Sequence, residues 1–449
     1  MQGSGWWLLL GLLASAACGG RTALDLLPSD SNGDANPGGA ANRGGTPGAG
    51  GTPSAAGATA LAGHGANGGQ AGTATASRGR GAGGAVTSHL FATSVSAGTD
   101  MTCATERGGG VWCWGSNDRG QLGNGTIVAS AVPVRVSDID DALTVTVGGT
   151  WTSGSMGAGL SAFACARLRD GMLDCWGNAF GWLGDMTSNG FSLFPQPVSG
   201  ASGVTGVAAG NWHLCTLSGG SVSCWGWNRG QLGDGQPGTD PAQPVHVAGV
   251  DGALAISAHG SDFTCAVMPP DASVECWGAQ WGAAGLVQSA TPATVPGVTA
   301  STTGLAVGFG HACAISTSGA SFQCWGLNQS GELGDGTTNS SLTPVTVQGL
   351  DGVAVSVAAG DEFTCAMLGD GRVQCWGASA LGDGTVGSSL VPVTVSGITD
   401  AIAVSAGYSH ACAITNGGRV LCWGANDSGQ IGNGDTSRAV STPVFVTGF

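Results

Sequence analysis

Lysine is absent from this chain of 449 residues, and only 9% of its residues are charged. Its arginines number 13 against 28 acidic residues, which gives a formal net charge of −15. Nucleic-acid binders need clustered Lys and Arg to displace the counterions of phosphates, so this balance argues against a nucleic-acid partner. Without lysine the chain also lacks the residue that a phosphate-binding P-loop or a Schiff-base site requires.

Hydrophobic runs of membrane-spanning length are not evident either. Residues Trp6 to Ala17 form an apolar run of about a dozen residues, too short to cross a bilayer of ~30 Å as a helix. A run of this length near the N-terminus is typical of a signal peptide and predicts export. It ends in Ser15-Ala-Ala-Cys18, which resembles a bacterial lipobox, although Ser15 replaces the usual leucine and no Arg or Lys precedes the run.

We therefore predict a signal peptide over residues 1–18 and a lipid anchor on Cys18 that attaches the protein to a membrane. The expected location is the outer membrane, as a lipoprotein, or the periplasm or cell surface. Gly19 favours sorting to the outer membrane, because it replaces the aspartate that retains lipoproteins at the inner membrane in enteric bacteria. If Cys18 is not lipidated, the alternative is a freely secreted protein.

Residues 19–88 are rich in Gly, Ala, Ser and Thr and contain almost no large apolar side chain. Such a segment cannot bury enough surface to offset its ordering entropy, which predicts a disordered linker. After His89 a Cys-Trp-Gly pattern recurs at intervals of 62, 49, 52, 48, 51 and 47 residues. Its tryptophans are Trp114, Trp176, Trp225, Trp277, Trp325, Trp376 and Trp423.

A period near 50 residues over seven copies indicates a repeat architecture. The last copy contains four short runs of β-branched or apolar residues between glycine-rich turns: 402–407, 410–415, 419–423 and 442–446. Four strands in each unit form a propeller blade. The sequence thus predicts an all-β fold, a seven-bladed β-propeller over residues 89–449 with four strands per blade.

The repeats also carry the pattern Trp-Gly-x-Asn-x-x-Gly-Gln-Leu-Gly-Asp/Asn-Gly. It is closely kept at Trp114–Gly125, Trp225–Gly235, Trp325–Gly336 and Trp423–Gly434. The unit resembles the RCC1 (regulator of chromosome condensation) repeat, and the resemblance implies a seven-bladed propeller. Repeats two, four and six lose part of this loop, at 178–185, 279–285 and 378–384. The altered loops are interpreted either as changed tight turns or as a surface that faces a partner.

Fourteen of the 15 cysteines form one pair per repeat, and turn residues lie midway between the two members. Folding each hairpin about that turn places its cysteines opposite one another, within disulfide reach. The alternatives are free buried cysteines or, less in keeping with the spacing, zinc ligands. We predict the disulfides Cys103–Cys113, Cys165–Cys175, Cys215–Cys224, Cys265–Cys276, Cys313–Cys324, Cys365–Cys375 and Cys412–Cys422.

No catalytic, cofactor or metal site is predicted, and the chain contains no Gly-x-Ser-x-Gly motif. His213, His311 and His410 stand two residues before a repeat's first cysteine, where other repeats have Met or Phe, so we expect packing positions. Turn residues such as Asp185, Asp234, Asp335 and Asp383 alternate with asparagine and are expected to cap turns. Some additional tryptophans are candidate exposed anchors: Trp112, Trp151, Trp182, Trp212, Trp227 and Trp281.

The preferred functional hypothesis is an exported, membrane-tethered and non-enzymatic module, expected to be a monomer, that binds a protein partner not identifiable from the sequence. The RCC1-like family includes a secreted inhibitor of β-lactamase, which implies that exported relatives bind proteins. Guanine-nucleotide exchange, the activity of the eukaryotic namesake, is an alternative, but no inserted wedge is recognised because residues 150–160 are rich in Gly and Ser. A glycan-binding or glycan-degrading propeller is the third possibility.

Overall fold

The computed structural model describes residues 89–152, 159–178, 190–259, 262–282, 285–319, 321–378 and 381–449. The predicted signal peptide, Cys18 and the predicted linker lie outside these residues, as do Trp182 and Asp185. The described part folds into seven sheets, each of four antiparallel strands that follow one another in the chain. The prediction of an all-β, seven-bladed propeller is confirmed. Within the described residues no helix is long and apolar enough to cross a membrane.

Each blade is numbered in chain order and takes four consecutive strands. Blades 1 and 2 contain β1 (Ala92–Ala97), β2 (Met101–Glu106), β3 (Val111–Gly115), β4 (Ser130–Arg135), β5 (Ala142–Thr152), β6 (Gly159–Leu168), β7 (Leu173–Asn178) and β8 (Phe191–Pro197). Blades 3 and 4 contain β9 (Val204–Ala209), β10 (His213–Ser218), β11 (Ser221–Gly226), β12 (Val245–His246), β13 (Ala255–Ser257), β14 (Phe263–Met268), β15 (Ser273–Gly282) and β16 (Gly285–Thr299).

The remaining blades follow the same order. Blade 5 contains β17 (Leu305–Val307), β18 (His311–Ile315), β19 (Phe322–Gly326) and β20 (Ser341–Thr346). Blades 6 and 7 contain β21 (Ala354–Ala359), β22 (Phe363–Leu368), β23 (Val373–Gly377), β24 (Ser389–Thr394), β25 (Ala401–Ala406), β26 (His410–Thr415), β27 (Val420–Ala425) and β28 (Ala439–Phe445).

The first strand of every blade lies at the centre of the ring, because each one contacts the first strand of the next blade. The ring closes where β25 of blade 7 contacts β1. The Leu90 amide donates to the Gly448 carbonyl at 2.8 Å, and the Phe449 ring lies 6.1 Å from the Trp114 ring. Both ends of the propeller thus help to join blade 7 to blade 1.

The hydrophobic core is divided into seven clusters, one between each pair of neighbouring blades. Between blades 5 and 6, for example, Trp376 packs with Cys313, Cys324 and Leu333. All seven repeat tryptophans are at most 1% exposed. A buried indole removes a large apolar surface from water, so these residues explain the strongest signal in the repeat.

The cysteines lie directly opposite one another on the second and third strands of each blade, as at Cys103 and Cys113. In all seven pairs the Cα atoms are 4.0–4.1 Å apart and the sulfurs 2.04–2.11 Å apart, so the structure joins each pair by a disulfide. The bonds face the clusters between the blades, where the cysteines are at most 1% exposed. They therefore brace the hairpins from within the core.

The four intact motif loops are held by a buried asparagine. Its side-chain oxygen accepts from the backbone of the same loop, as in the 2.9 Å bond from the Leu122 amide to Asn117. Its side-chain NH2 donates to carbonyls further on, including that of Val128 at 3.0 Å. The same loop covers the next blade, because the Trp176 indole N–H donates to the Gln121 carbonyl at 3.0 Å. One repeated motif thus builds both its own loop and a contact between blades.

Two blades depart from the compact pattern expected from the sequence. In blade 2, β5 and β6 continue to pair at Thr150 with Ser161 and at Thr152 with Gly159. In blade 4, β15 and β16 pair as far as Gly282 with Gly285. The described ends of segment 150–160 are therefore strands of an extended hairpin, in the segment where no inserted wedge was recognised from the sequence. Alternation of polar and apolar residues is weak in this segment, so the pairing leaves little signal in the sequence.

Candidate functional site

The turns between first and second strands meet on the propeller axis, on the side that also carries the motif loops; we call this side the motif-loop face. The opposite side, formed by the hairpins between second and third strands, is the hairpin face. The axial turns surround a small depression, the axial mouth, of about 10 Å³, with room for roughly one water molecule. Its side-chain lining consists of Thr99, His259, Phe309, Asp361 and Tyr408.

Backbone hydrogen bonds between neighbouring turns fix the shape of the axial mouth. The Tyr408 amide donates to the Gly98 carbonyl and the Phe309 amide to the Gly360 carbonyl, both at 3.0 Å. The Asp361 amide donates to the Tyr408 carbonyl at 3.4 Å. A glycine precedes the lining residue in most turns because the next turn's backbone approaches too closely for a Cβ. At Gly407, an added Cβ would collide with the Gly98 carbonyl oxygen.

Asp361 and Tyr408 form the polar centre of the axial mouth. Burial is the main cause that raises the pKa of Asp361 to about 7, and the neighbouring Glu362 and Glu332 raise it further. A hydrogen bond with the Tyr408 hydroxyl opposes the shift. Burial and the same carboxyl group also raise the pKa of Tyr408 to about 12. Near neutral pH, Asp361 therefore changes between its neutral and charged forms while Tyr408 keeps its proton.

Further buried carboxyl groups surround this centre. Burial raises the pKa of Asp100 to about 6, with contributions from Asp427 and Asp118. Burial also raises the pKa of Asp262 and that of Glu332. None of the ion pairs within the described residues joins Asp100, Asp262, Glu332 or Asp361 to an arginine. The motif-loop face thus presents acidic groups outside the described ion pairs, although the charge of Arg229 opposes the rise in the pKa of Asp262.

The ion pairs lie mainly on the hairpin face. Arg372 contacts Asp351 at 2.6 Å and Asp370 at 2.7 Å, and Arg135 contacts Glu106 at 3.8 Å and also Asp140. These pairs are solvent-exposed, so each contributes little to stability. The two arginines nevertheless offset part of the negative charge on the hairpin face. The two faces therefore differ in electrostatic character.

Two exposed aromatic rings border the axial mouth. Tyr408, the single tyrosine of the chain, is 40% exposed, and Phe309 is 38% exposed. The described tryptophans proposed as exposed anchors, Trp112, Trp212 and Trp227, are instead half-buried. The structure describes no side-chain environment for Trp151 or Trp281. The aromatic surface therefore lies at turn positions that the tryptophan pattern did not indicate.

The expected packing histidines are buried, but each also forms a hydrogen bond to the next blade. The Nε2 atom of His311 lies 2.8 Å from the Thr364 hydroxyl oxygen. His213 contacts Thr264 at 2.8 Å, and His410 contacts Thr102 at 2.7 Å. Burial lowers the pKa of these histidines, to about 3 for His213 and His410 and about 4 for His311. They are neutral structural groups at pH 7.

His259 is the histidine of the axial mouth. Burial lowers its pKa to about 4, so it is neutral at pH 7. Among the described residues, no group of three or more His, Cys, Asp or Glu side chains is placed to hold a metal ion. The mouth is also far smaller than a typical small-molecule pocket of roughly 300 Å³ or more. Its exposed rings and acidic rim are suited to surface contact.

The expectation of turn-capping aspartates is confirmed where the turns are described. The Asp335 carboxylate accepts from the Thr337 amide at 2.9 Å, and Asp234 accepts from the Gln236 amide at 2.9 Å. Asp383 does the same for Thr385 at 2.8 Å. This geometry explains why asparagine takes the same position in other repeats, since an amide oxygen accepts equally well.

Comparison with known proteins identifies the repeats. Two family models of the regulator of chromosome condensation (RCC1) repeat match: one at 92–121, 354–382 and 401–430, the other at 108–153, 324–367 and 417–449. These segments are RCC1 repeats. A search of curated proteins found no match. The matched RCC1 repeats fall in blades 1, 2, 5, 6 and 7.

Solved structures support the same fold. Yeast RCC1 (Prp20) in a complex with Kap60 matches with a TM-score of 0.63 and 18% identity, covering 81% of this chain and 86% of that chain. Prp20p from Saccharomyces cerevisiae, in another structure, matches with a TM-score of 0.62 and 19% identity, covering 80% and 88%. At this identity the RCC1-repeat propeller shares a fold with these proteins, and the likeness carries no residue role.

Proposed function

We propose that this protein is an exported, membrane-tethered scaffold without catalytic activity, and that it binds a protein through its motif-loop face. The observation that carries the proposal is the axial mouth, where exposed Tyr408 and Phe309 lie among acidic groups. Exposed aromatic side chains are typical anchors of protein interfaces. These buried acidic groups bind their protons less tightly beside a positive charge, so they favour a partner with a basic surface.

The position of the chain's entry supports this choice of face. The Ala92 amide, at the start of β1, donates to the Gly418 carbonyl in the hairpin of blade 7 at 2.8 Å. The Arg107 amide, in the hairpin of blade 1, donates to the Phe91 carbonyl at 2.8 Å. The described chain therefore begins on the hairpin face, so the proposed anchorage makes no use of the motif-loop face.

The relatives add support at the level of the scaffold. Yeast RCC1 has been crystallised with Kap60, and the Saccharomyces protein was studied for its binding to Gsp1p and histones. An RCC1-type propeller is thus a frame on which protein-binding surfaces occur. The proposal of a non-enzymatic role has separate support in the small size of the axial mouth.

Affinity capture tests the proposed function. The propeller, residues 89–449, is immobilised and exposed to native cell envelope after mild cross-linking, and retained molecules are identified by mass spectrometry. We expect one stoichiometric protein with a basic surface patch. Recovery of glycans alone would favour the glycan-binding alternative and contradict the proposal.

Mass spectrometry of the mature protein tests the export and tether. We expect the purified envelope form to begin at Cys18 with a lipid attached. Because export leads to an oxidising compartment, alkylation before reduction is expected to modify none of the 14 repeat cysteines. The variant Cys18→Ala should lose the lipid and leave the membrane fraction. A mature chain that retains residues 1–17, or repeat cysteines that react freely, would contradict export.

A further inference from the structure

Three of the seven blade interfaces carry the same buried polar cluster, which we call the lock. Between blades 5 and 6 it consists of His311, Thr364, Trp376 and the Glu332 carbonyl. His311 Nε2 and the Thr364 hydroxyl oxygen are 2.8 Å apart. The Thr364 hydroxyl donates to the Glu332 carbonyl at 2.9 Å, and the Trp376 indole N–H donates to the same oxygen at 2.8 Å. One carbonyl thus accepts from two side chains of the next blade, and the histidine joins this cluster through the threonine.

The same lock occurs at two other interfaces. Between blades 7 and 1, the Gln430 carbonyl accepts at 2.8 Å both from Thr102 and from Trp114. Between blades 3 and 4, the Gln231 carbonyl accepts from Thr264 at 3.4 Å and from Trp277 at 2.9 Å. The histidines are His410 and His213, respectively. The lock requires an intact motif loop and a histidine in one blade, and a threonine in the next.

The proton positions in the lock follow from its geometry. A threonine hydroxyl has one hydrogen, and it donates that hydrogen to the loop carbonyl. The oxygen can then only accept from the histidine, so Nε2 carries the proton. Within the described part of the chain, the Nδ1 atoms of His213, His311 and His410 are buried without a hydrogen-bond partner, as expected for an unprotonated nitrogen that no donor reaches. Hydrogen bonds are strong in such a dry environment.

Among the described residues, three other interfaces lack the lock. The indole N–H groups of Trp225, Trp325 and Trp423 are buried there without a hydrogen-bond partner in the described part of the chain. These tryptophans follow blades 2, 4 and 6, whose motif loops are altered. The residues before the first cysteine in blades 3, 5 and 7 are Leu214, Ala312 and Ala411, which have no hydroxyl group. The seams between blades 2 and 3, 4 and 5, and 6 and 7 are therefore unlocked.

The unlocked seam between blades 6 and 7 passes through the axial mouth. Asp361 lies on blade 6, which is locked to blade 5 and its Phe309. Tyr408 lies on blade 7, which is locked to blade 1 and its Thr99. We propose that blades 5 and 6 form one rigid pair and blades 7 and 1 another, and that the axial mouth opens between Asp361 and Tyr408. The mouth would then widen without breaking either lock.

Contacts other than a lock hold this seam closed at rest, among them the hydrogen bond between the Asp361 carboxyl group and the Tyr408 hydroxyl, which would break on opening. The Asp361 amide reaches the Tyr408 carbonyl at 3.4 Å, against 3.0 Å for the Phe309 and Tyr408 amides at the locked interfaces. At the rim, the Gly384 amide donates to the Ser441 carbonyl at 3.0 Å. The apolar cluster around Trp423 also spans the seam. Apolar contacts are not directional, so a small separation costs less here than at a lock.

Hydrogen exchange of backbone amides in the full chain tests this proposal, with each rate corrected for its intrinsic value. Three equivalent rim amides report on the three interfaces: Gly336 for blades 5 and 6, Gly384 for blades 6 and 7, and Gly434 for blades 7 and 1. We expect Gly384 to exchange at least about tenfold faster than the other two. Equal rates at all three amides would overturn the proposal. The measurement uses the free protein, so its outcome is independent of the proposed partner.

A pair of variants provides the control. Thr364→Val removes the hydroxyl from one lock and should accelerate Gly336 towards the rate of Gly384, with Gly434 unchanged. Thr102→Val should accelerate Gly434 and leave Gly336 unchanged. Thr364→Ser restores the hydroxyl and should restore slow exchange at Gly336. Equal acceleration of all three amides by Thr364→Val would show general destabilisation and contradict the proposal. If this variant fails to fold, the wild-type rates and Thr364→Ser still decide.

Discussion

The Asp361 carboxyl group is held where its charged form is unfavourable, because burial raises its pKa to about 7 from 3.8. A group whose pKa is raised on folding favours the folded state at low pH, and this contribution is lost as the pH rises through 7. At neutral pH and above, the fold therefore carries the cost of an ionised, buried carboxylate. Such a cost is typical of functional positions.

Replacing Asp361 with asparagine removes this cost. We expect Asp361→Asn to raise the free energy of unfolding at pH 8 by about 2 kcal/mol, with the gain falling towards zero by about pH 4. Urea unfolding across this pH range measures the difference. As a control, Asp370→Asn removes an exposed charge whose pKa is lowered mainly by the backbone of Arg372, so it should not stabilise. A destabilised Asp361→Asn at pH 8 would contradict the assigned environment.

The buried histidines change the free energy of unfolding with pH in the opposite direction to Asp361. Their folded pKa values of about 3 to 4 lie below the value of 6.5 expected after unfolding. The unfolded chain therefore binds more protons below about pH 6.5, and the free energy of unfolding should fall as the pH decreases from there towards 3. We expect His410→Gln to weaken this acid dependence relative to wild type. An unchanged slope between pH 4 and 6 would show that His410 is not buried in its neutral form.

At the residue scale, the sequence predicted the cysteine pairs and turn caps but not the axial mouth. A cysteine pair recurs in every repeat, so seven copies reinforce one conclusion. Asp361, Tyr408 and Phe309 occupy equivalent turns but differ in chemistry, and they come together only because the ring closes. The single tyrosine of the chain was the available signal, since Tyr408 follows Gly407, the glycine directly after the first strand of blade 7.

At the element scale, the axial turns depend on close backbone approach. An added Cβ at Gly407 would collide with the Gly98 carbonyl, and at Gly360 it would contact the Gly407 carbonyl at 2.6 Å. The bonds from the Tyr408 amide to Gly98 and from the Phe309 amide to Gly360 need the same proximity. Small residues at the ends of the first strands thus let the blades meet on the axis.

Replacing Gly407 with alanine tests this requirement. We expect Gly407→Ala to lower the free energy of unfolding by about 2 kcal/mol or more, because the backbone of blade 1 cannot move away without breaking the ring contact. Thermal or urea unfolding measures the loss. Gly417→Ala is the matched control, since its Cβ would meet only the Thr415 hydroxyl oxygen at 3.7 Å. Equal stability of the two variants would contradict the close approach.

The locks between blades leave a pattern in the sequence. A threonine precedes the first cysteine in blades 1, 4 and 6, each of which follows a blade with a histidine, namely blade 7, 3 or 5. The histidines were expected only to pack, because Met or Phe replaces them elsewhere. Each histidine is hydrogen-bonded to the threonine of the next blade, and this pairing can be recognised only when the register of neighbouring blades is known.

At the scale of the whole molecule, the seven-bladed ring was predictable because its period, turns and tryptophans all indicate one repeating unit. The difference between its faces was not, because it depends on which loops share a side. The five ion-pair contacts of the described residues all involve Arg135, Arg372 or His246, which lie away from the axial mouth. The acidic motif-loop face then follows from the folded arrangement of residues that are scattered along the chain.

The central claim, that the motif-loop face binds the partner, is tested most directly by paired charge reversals. Once capture has identified the partner, its affinity is measured by calorimetry for wild type and two double variants. Glu362→Arg with Asp427→Arg changes exposed acids on the motif-loop face, and Asp141→Arg with Asp400→Arg makes the same change on the hairpin face. We expect the first to weaken binding by at least about tenfold and the second to leave it unchanged. The reverse pattern, or equal losses, would contradict the assignment of the face.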